Sequence, residues 1–363
     1  MSHTDIERPE SRDESEVSVG EALLVEPSRL SPTRRALTTV LRSRELSIFL
    51  VLVAIIVLAT VKNDSFLFSS DGWRNFLLNP SILLLLAVGQ AVVIITRNVD
   101  LSVGSVLGLT AYLTGRLFID VPGIPIIVVF LAGIALGALL GLVNGALVAF
   151  AKVPALVITL GTLYIYRGIN VAWTGSDRIN ASDLPAAFRG LGTGQILYIP
   201  ILTIIAVVVL VVAAWVLRNL RSGREFYAIG SDPSAAELYG LRVTRRLLTA
   251  FVLSGALAGL GGVLYAARYG TISSQAGSGW ELDAVGAAVI GGVAIFGGSG
   301  TVWGAAIGAV LLLTINRALP ILGIPDFWQR AVVGALIIGA IVLDRVLAIR
   351  QKRKLLEARE EGE

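Results

Sequence analysis

The chain has 363 residues, 55% of them hydrophobic and 15% charged, with a mean hydropathy of +0.78. Soluble domains carry about 25% charged residues, so this composition excludes an ordinary water-soluble fold and implies an all-α, polytopic bundle of membrane helices. There is no Cys and the one His is His3, which removes disulfides, thiolate nucleophiles, His-dependent triads and Cys/His metal sites. No catalytic residue and no metal ligand set is expected. The net charge of +4 does not indicate nucleic acid; the placement of Lys and Arg bears instead on membrane orientation.

Residues 1–45 are rich in Glu, Asp, Ser, Pro and Arg with little apolar periodicity, the composition of a disordered polar tail. Its acidic stretch precedes any apolar core, unlike a signal peptide. Spanning a bilayer of about 30 Å takes roughly 20 helical residues. On that measure candidate spans fall at 46–62, 80–96, 101–119, 124–150, 154–173, 197–217, 247–267, 282–297, 301–319 and 327–347. They make up one transmembrane domain over 46–347, followed by a charged tail at 348–363. Arg97-Asn98-Val99-Asp100 interrupts one long apolar stretch and Gly297-Gly298-Ser299-Gly300 another. Each break is either a tight turn between two spans or an unwound segment facing a cavity. With about ten spans both termini share one side. That side then holds 21 of the 30 Lys and Arg residues and the other 9, a split that supports both termini in the cytoplasm. Asp100-Leu-Ser-Val-Gly104 loosely echoes Glu281-Leu-Asp-Ala-Val-Gly286, a faint sign of the internal repeats common in transporters.

Gly133, Gly137, Gly141 and Gly145 recur every fourth residue, as do Gly300, Gly304 and Gly308. Such stripes let a neighbouring helix backbone approach closely; helix packing is the ordinary reading and a sliding surface the sharper one. The P-loop spacing does not occur, and neither Gly298–Gly304 nor Gly190–Gly194 has the Gly-x-Gly-x-x-Gly spacing, so no nucleotide or other cofactor is expected on this chain. Polar groups at membrane depth are few: Gln90, Asn144, Thr159, Thr162, Tyr164, Tyr166, Arg167 and Asn170. Such groups face other helices or a watery cavity, and interhelical hydrogen bonding competes with substrate contact as their role. No span centre carries an Asp or Glu, which argues against a carrier that binds a coupling ion there.

The segment 218–246 holds Gly223-Arg-Glu-Phe-Tyr-Ala-Ile-Gly230 followed by Ser231-Asp-Pro-Ser-Ala-Ala-Glu-Leu-Tyr-Gly240. Ser231 or Asp232 as cap, Pro233 in the first turn and Gly240 as terminator predict a short surface helix of about two turns. Tyr227, Leu238 and Tyr239 give it the apolar surface of a docking helix rather than a plain solvated loop.

Taken together, Thr96-Arg-Asn-Val-Asp-Leu-Ser-Val-Gly-Ser105, Val153-Pro-Ala-Leu-Val-Ile-Thr-Leu-Gly-Thr162, Tyr166-Arg-Gly168, the Gly223–Gly240 segment and Ala288-Val-Ile-Gly-Gly-Val-Ala-Ile-Phe-Gly-Gly-Ser-Gly-Thr301 resemble the permease subunits of bacterial ATP-binding-cassette importers for monosaccharides, the ribose/xylose/arabinose type. The resemblance covers roughly 45–347. Arg97-Asn98 replace two glycines more usual in that family. This variant, with Tyr166-Arg-Gly-Ile169 and Ile324-Pro-Asp-Phe-Trp328, is more similar to the rhamnose and autoinducer-2 branches, and Ala318-Leu-Pro320 tilts the reading toward L-rhamnose. The resemblance implies a second permease chain, a cytoplasmic ATPase that binds ATP and Mg, and an extracytoplasmic sugar-binding protein. It also implies an ATPase-coupling role for Arg224, Ser234, Ala235, Ala236, Glu237 and Gly240. Ser234-Ala-Ala-Glu-Leu-Tyr-Gly240 lines up with the family's Glu-Ala-Ala-x-x-x-Gly motif, with Ser in place of Glu and the downstream Ile-x-Leu-Pro missing. The translocation path is expected to involve Asn98, Asp100, Asn144, Thr159 and Thr162. Rival readings are an ion-coupled sugar carrier working alone and a membrane sensor or scaffold that moves nothing.

Overall fold

A computed structural model describes residues 44–342 apart from 152 and 176, together with residue 346. The expected polar tails therefore lie outside the described residues, save for 44 and 45 at the end of the first. Helix α1 (Arg44–Lys62) begins as the polar sequence gives way to Leu46, and 17% of its apolar window is buried within the chain. After a 3-10 turn (Asp64–Phe66) comes α2 (Ser70–Leu78), capped by Ser69, whose hydroxyl accepts from the Gly72 N–H at 2.8 Å. Then follow α3 (Pro80–Ile95), α4 (Val103–Asp120), α5 (Ile126–Ala151), α6 (Ala155–Thr174), α7 (Ala186–Thr193), the strand pair β1 (Gln195–Ile196) and β2 (Ile199–Pro200), and α8 (Ile201–Asn219). The second half holds α9 (Arg221–Ser231), α10 (Pro233–Leu238), α11 (Val243–Tyr269), α12 (Trp280–Ile290), α13 (Val302–Ile321) and α14 (Gln329–Val342). Among the described residues seven helices are long and apolar enough to cross a membrane, with α2 and α3 counted as one. The all-α, polytopic class read from the sequence is the one observed.

Two helices with nearly the same composition sit in opposite surroundings. All sixteen residues of α3 are buried, because α2, α8, α9, α11, α12 and α13 surround it. Helix α5 is equally apolar all round but buries only Val129, Gly133, Gly137, Gly141, Asn144, Gly145 and Val148, leaving its remaining faces open to lipid. A helix that is hydrophobic on every side belongs in a core or in a bilayer, and this chain uses both solutions.

The buried glycine stripe of α5 packs on α11. A Cβ on Gly137 would sit 2.2 Å from the Gly255 carbonyl oxygen, and one on Gly255 would sit 2.2 Å from that of Gly137. Gly259 against Gly133 and Gly141 against Phe251 repeat the arrangement, so the stripe is backbone-on-backbone packing of the kind membrane helices use. The second stripe is shorter than its sequence spacing indicates. Gly304 and Gly308 do meet the Gly291 and Ala287 carbonyls, but Gly300 has φ +123 and precedes α13, whose cap is Thr301.

The expected span at 282–297 is also not a continuous helix. Helix α12 has eleven residues, about 16 Å of rise against a bilayer core of about 30 Å. It stops at a Gly-Gly pair, with Gly292 at φ +88, and the glycines at 297, 298 and 300 also have positive φ. A second irregular stretch, 96–102, separates α3 from α4. Both breaks lie at the end of the bundle that carries α9 and α10, because the Gly298 N–H donates to the Ile95 carbonyl at 2.9 Å and the Tyr227 hydroxyl to the Gly300 carbonyl at 3.0 Å.

At the opposite end, arginines tie the connecting segments together. Arg317 donates to the carbonyls of Phe66 (2.7 Å) and Gly72 (3.0 Å), Arg268 to Leu78 (2.8 Å) and the Asn79 side chain, and Arg74 to Thr193 (2.8 Å). A two-way backbone bridge joins Ile179 and Ile272 at 3.0 and 2.9 Å. These cations are spent on main-chain carbonyls, which gives positive residues at this end internal partners.

Candidate functional site

The short helix foreseen in 218–246 forms with both ends closed. Asp232 is the cap: its Oδ1 accepts from the N–H groups of Ser234 (2.9 Å) and Ala235 (3.0 Å), and Pro233 opens α10. At the other end the Gly240 N–H donates to the Glu237 carbonyl (2.9 Å) and the Leu241 N–H to that of Ala236 (3.0 Å), with Gly240 at φ +79. That pair of bonds is a Schellman motif, which requires a left-handed residue where glycine stands. Ser234 and Glu237 are exposed, Ala235 is half-buried, and Ala236 is 5% exposed and turned inward. The two residues after Glu237 project furthest: Leu238 and Tyr239 are 89% and 87% exposed.

Helix α9 is the base on which α10 stands. Its Phe226 and Ile229 are buried, and Gly230 lies so close to α3 that a Cβ there would sit 1.7 Å from the Ile95 carbonyl oxygen. Arg97, in the left-handed region at φ +65, donates from Nε to the Gly230 carbonyl (2.5 Å) and from Nη2 to that of Ser231 (2.6 Å). These are the last carbonyls of α9, where a cation also meets the negative end of the helix dipole. Glu225 accepts from Arg246 (2.5 Å) and Arg221 (2.9 Å). The Arg246 bond, followed by that of Arg221, holds the Glu225 carboxyl below the usual range. Arg224 is exposed on the same helix.

Just inside the first break lies a buried polar knot centred on Asp100. Its Oδ1 accepts from the Ser102 N–H (3.0 Å) and hydroxyl (2.7 Å), and its Oδ2 from the Ser254 hydroxyl (3.1 Å). The Asn144 amide donates to Ser102 Oγ at 2.7 Å, and the Tyr166 hydroxyl lies 3.2 Å from Asn144 Oδ1. The Gln90 amide faces the Asp100 backbone; with its nitrogen toward the carbonyl and its oxygen toward the N–H it makes two bonds of 3.1 Å. Thr159 donates to the Val99 carbonyl at 3.1 Å. Asp100, Ser102, Asn144, Thr159, Gln90 and Ser254 are all 1% exposed or less. Irregular backbone at membrane depth needs internal partners, and here α3, α5, α6 and α11 supply them. Of the path residues, Asp100, Asn144 and Thr159 are thus brought together. Asn98 braces the loop locally through the Thr96 carbonyl (2.7 Å), and Thr162 bonds back to Thr159 (3.3 Å).

Sequence reasoning left Ser102 and Ser254 unnamed and did not assign Arg97 or Glu225 a task. The available signal for Ser254 was a lone hydroxyl in the Gly-rich run Ser254-Gly-Ala-Leu-Ala-Gly259. Arg97 was visible as part of the Arg97–Asp100 interruption and as a departure from a two-glycine pattern, neither of which points to α9.

Comparison with known proteins gives the family of this apolar bundle. Residues 73–341 match the family described as "Branched-chain amino acid transport system / permease component". The chain is 37% identical over 324 residues, 88% of its own length and 93% of the relative's, to the "Autoinducer 2 import system permease protein LsrC" of Enterobacter sp. (strain 638). It is 37% identical over 313 residues to the protein of that name from Shigella flexneri (86% of this chain, 90% of the relative). The Escherichia coli (strain K12 / DH10B) protein of that name is 36% identical over the same number of residues, 86% of this chain and 90% of the relative. No solved structure matches. The chain belongs to this permease family, whose members are membrane subunits of ATP-binding-cassette importers, and it is a multi-pass membrane protein.

Proposed function

We propose that this chain is the membrane permease of an autoinducer-2 importer in a bacterial cytoplasmic membrane. It works as one of two permease chains, with a separate ATPase binding ATP and Mg at the α9–α10 end and an extracytoplasmic binding protein at the other. Both termini then lie in the cytoplasm. The names of the relatives favour autoinducer-2 over the L-rhamnose tilt of the sequence motifs, and ribose- or xylose-type sugars stand behind both.

The observation that carries the reading is α10: a six-residue helix closed at both ends presents Leu238 and Tyr239 at 89% and 87% exposure and stands on α9, which is bonded to both helix breaks through Arg97 and Tyr227. ATP-driven movement of a partner docked on α10 is delivered through α9 to Ile95, Gly298 and Arg97. The path residues Asp100, Asn144 and Thr159 lie directly behind that contact and become cargo-facing only when the knot rearranges. Uptake by proteoliposomes containing the permease, its ATPase and its binding protein tests the proposal. ATP-dependent accumulation of autoinducer-2 is expected. Accumulation of L-rhamnose alone moves the substrate to the other branch, and uptake that ignores ATP and follows an ion gradient overturns the importer reading.

A further inference from the structure

At the end of the bundle away from α9, a cavity of about 580 Å³ opens between α12, α13 and α14, within the range of pockets that hold small ligands. Polar side chains and one indole line part of it: Ser278, Trp280, Asp283, Asn316, Gln329 and Arg330. The wall charges cancel, one carboxylate against one guanidinium, so neither a cation nor an anion is selected. A hydroxyl group both donates and accepts, and a carboxylate, a guanidinium and the Asn316 amide offer acceptors and donors that match vicinal hydroxyls. Asn316 Oδ1 is buried with no hydrogen-bond partner among the described residues, a costly state for an acceptor and one that a ligand hydroxyl relieves. The Trp280 indole is held edge-to-face by Tyr265, with ring centroids 5.8 Å apart and planes at 77°, which fixes an aromatic wall for the C–H face of a ring.

We propose that this cavity is a transit site for a neutral, polyhydroxylated small molecule. The assignment rests on the importer reading for its cargo, but the site stands on its own geometry. It lies on α12, the half-helix whose other end runs into the 291–301 break that holds α9. One element therefore links a ligand wall to the docking end.

Two measurements on the full chain test it. In the reconstituted importer, Asn316→Leu and Asp283→Asn are each expected to lower cargo uptake about tenfold, the loss of roughly one hydrogen bond, with ATP hydrolysis stimulated by the binding protein unchanged. Uptake within about twofold of wild type in both assembled variants overturns the site and leaves the importer reading intact. In the second measurement the permease alone in nanodiscs is titrated with D-ribose, L-rhamnose and autoinducer-2 while tryptophan fluorescence is recorded, with Trp280→Phe as reference. A saturable change that disappears in Trp280→Phe and weakens in Asn316→Leu supports the site even if the wild-type complex transports nothing. Titrations identical in wild type and Trp280→Phe for all three sugars overturn it.

Discussion

Replacing Arg97 tests whether α9 is clamped to the first helix break. Its two bonds end on carbonyls at the C-terminus of α9 (2.5 and 2.6 Å). Buried hydrogen bonds to a charged group contribute about 1.5–3 kcal/mol each. Arg97 is exposed, however, and the Ser231 bond lies in solvent, so screening lowers the pair to about 2–3 kcal/mol in total. Arg97 also has φ +65, a conformation that costs a side-chain-bearing residue about 1–2 kcal/mol and glycine almost nothing. Arg97→Gly therefore loses the clamp but regains the strain, a net weakening of about 1 kcal/mol or somewhat over fivefold in the α9 docking equilibrium. Arg97→Ala loses the clamp and keeps the strain, a weakening of about 2–3 kcal/mol. Hydrogen–deuterium exchange over 221–231 reads this directly: faster exchange is expected in both variants, with Ala above Gly, and fewer cargo molecules moved per ATP in the reconstituted complex. Exchange in Arg97→Ala equal to wild type refutes the clamp, and equal effects in Ala and Gly refute the backbone part of the argument.

Other substitutions separate docking from folding. Leu238→Glu with Tyr239→Glu should abolish co-purification of the ATPase while leaving the melting temperature of the permease unchanged, since neither side chain packs inside the chain. Asp232→Ala removes the two bonds that cap α10, costs about 1 kcal/mol, and should weaken ATPase binding without abolishing it; tight wild-type binding would show that α10 docks without being preformed. Gly137→Ala drives a Cβ to 2.2 Å from the Gly255 carbonyl and should lower thermal stability in detergent by about 1–3 kcal/mol. Gly161→Ala, with open space at its Cβ, should leave stability equal or higher. The Glu225 carboxyl is lowered in the folded chain, so its contribution is fully present above the ordinary carboxylate value and is lost as pH falls through the folded value. The difference in melting temperature between wild type and Glu225→Gln should accordingly be large at neutral pH and shrink below about pH 4.5; a gap that widens on acidification contradicts the ion pair.

Much of the bundle was legible because the forces that place it are local or compositional. Apolar runs mark α1, α5, α8 and α11, and the Asp232-Pro233…Gly240 punctuation marks α10 to within a residue. The failures share one cause. Whether an apolar stretch is one span or two pieces depends on who satisfies its broken backbone, and that partner is remote in sequence: Gln90 for Asp100, Thr159 for Val99, Ile95 for Gly298. Stretch 282–297 read as a span because hydropathy registers its Ala, Val and Ile and is blind to a left-handed glycine at 292. Ala236 illustrates the same limit at the docking surface. Motif alignment groups it with Ser234 and Glu237, but the inward turn of α10 hides it and brings Leu238 and Tyr239 outward.

The engagement of the knot bears on where cargo is held. Asp100 spends both oxygens on Ser102 and Ser254, and Asn144 spends its amide nitrogen on Ser102. Opening any of these groups to cargo first breaks a buried bond, and an unpaired buried carboxylate is expensive. In the conformation seen here the knot is therefore a latch, holding the first break against α5, α6 and α11. The cavity at the other end has the reverse character: it has volume, polar side chains line part of an otherwise apolar wall, and among the described residues Asn316 Oδ1 has no hydrogen-bond partner. A transporter that takes selectivity from a separate binding protein needs only weak contacts along its route, because each tight site adds a release step. On the importer proposal, a partly unsatisfied cavity at one end and a closed, bonded knot at the other is the arrangement expected of a chain that receives cargo passively and is opened by a partner ATPase.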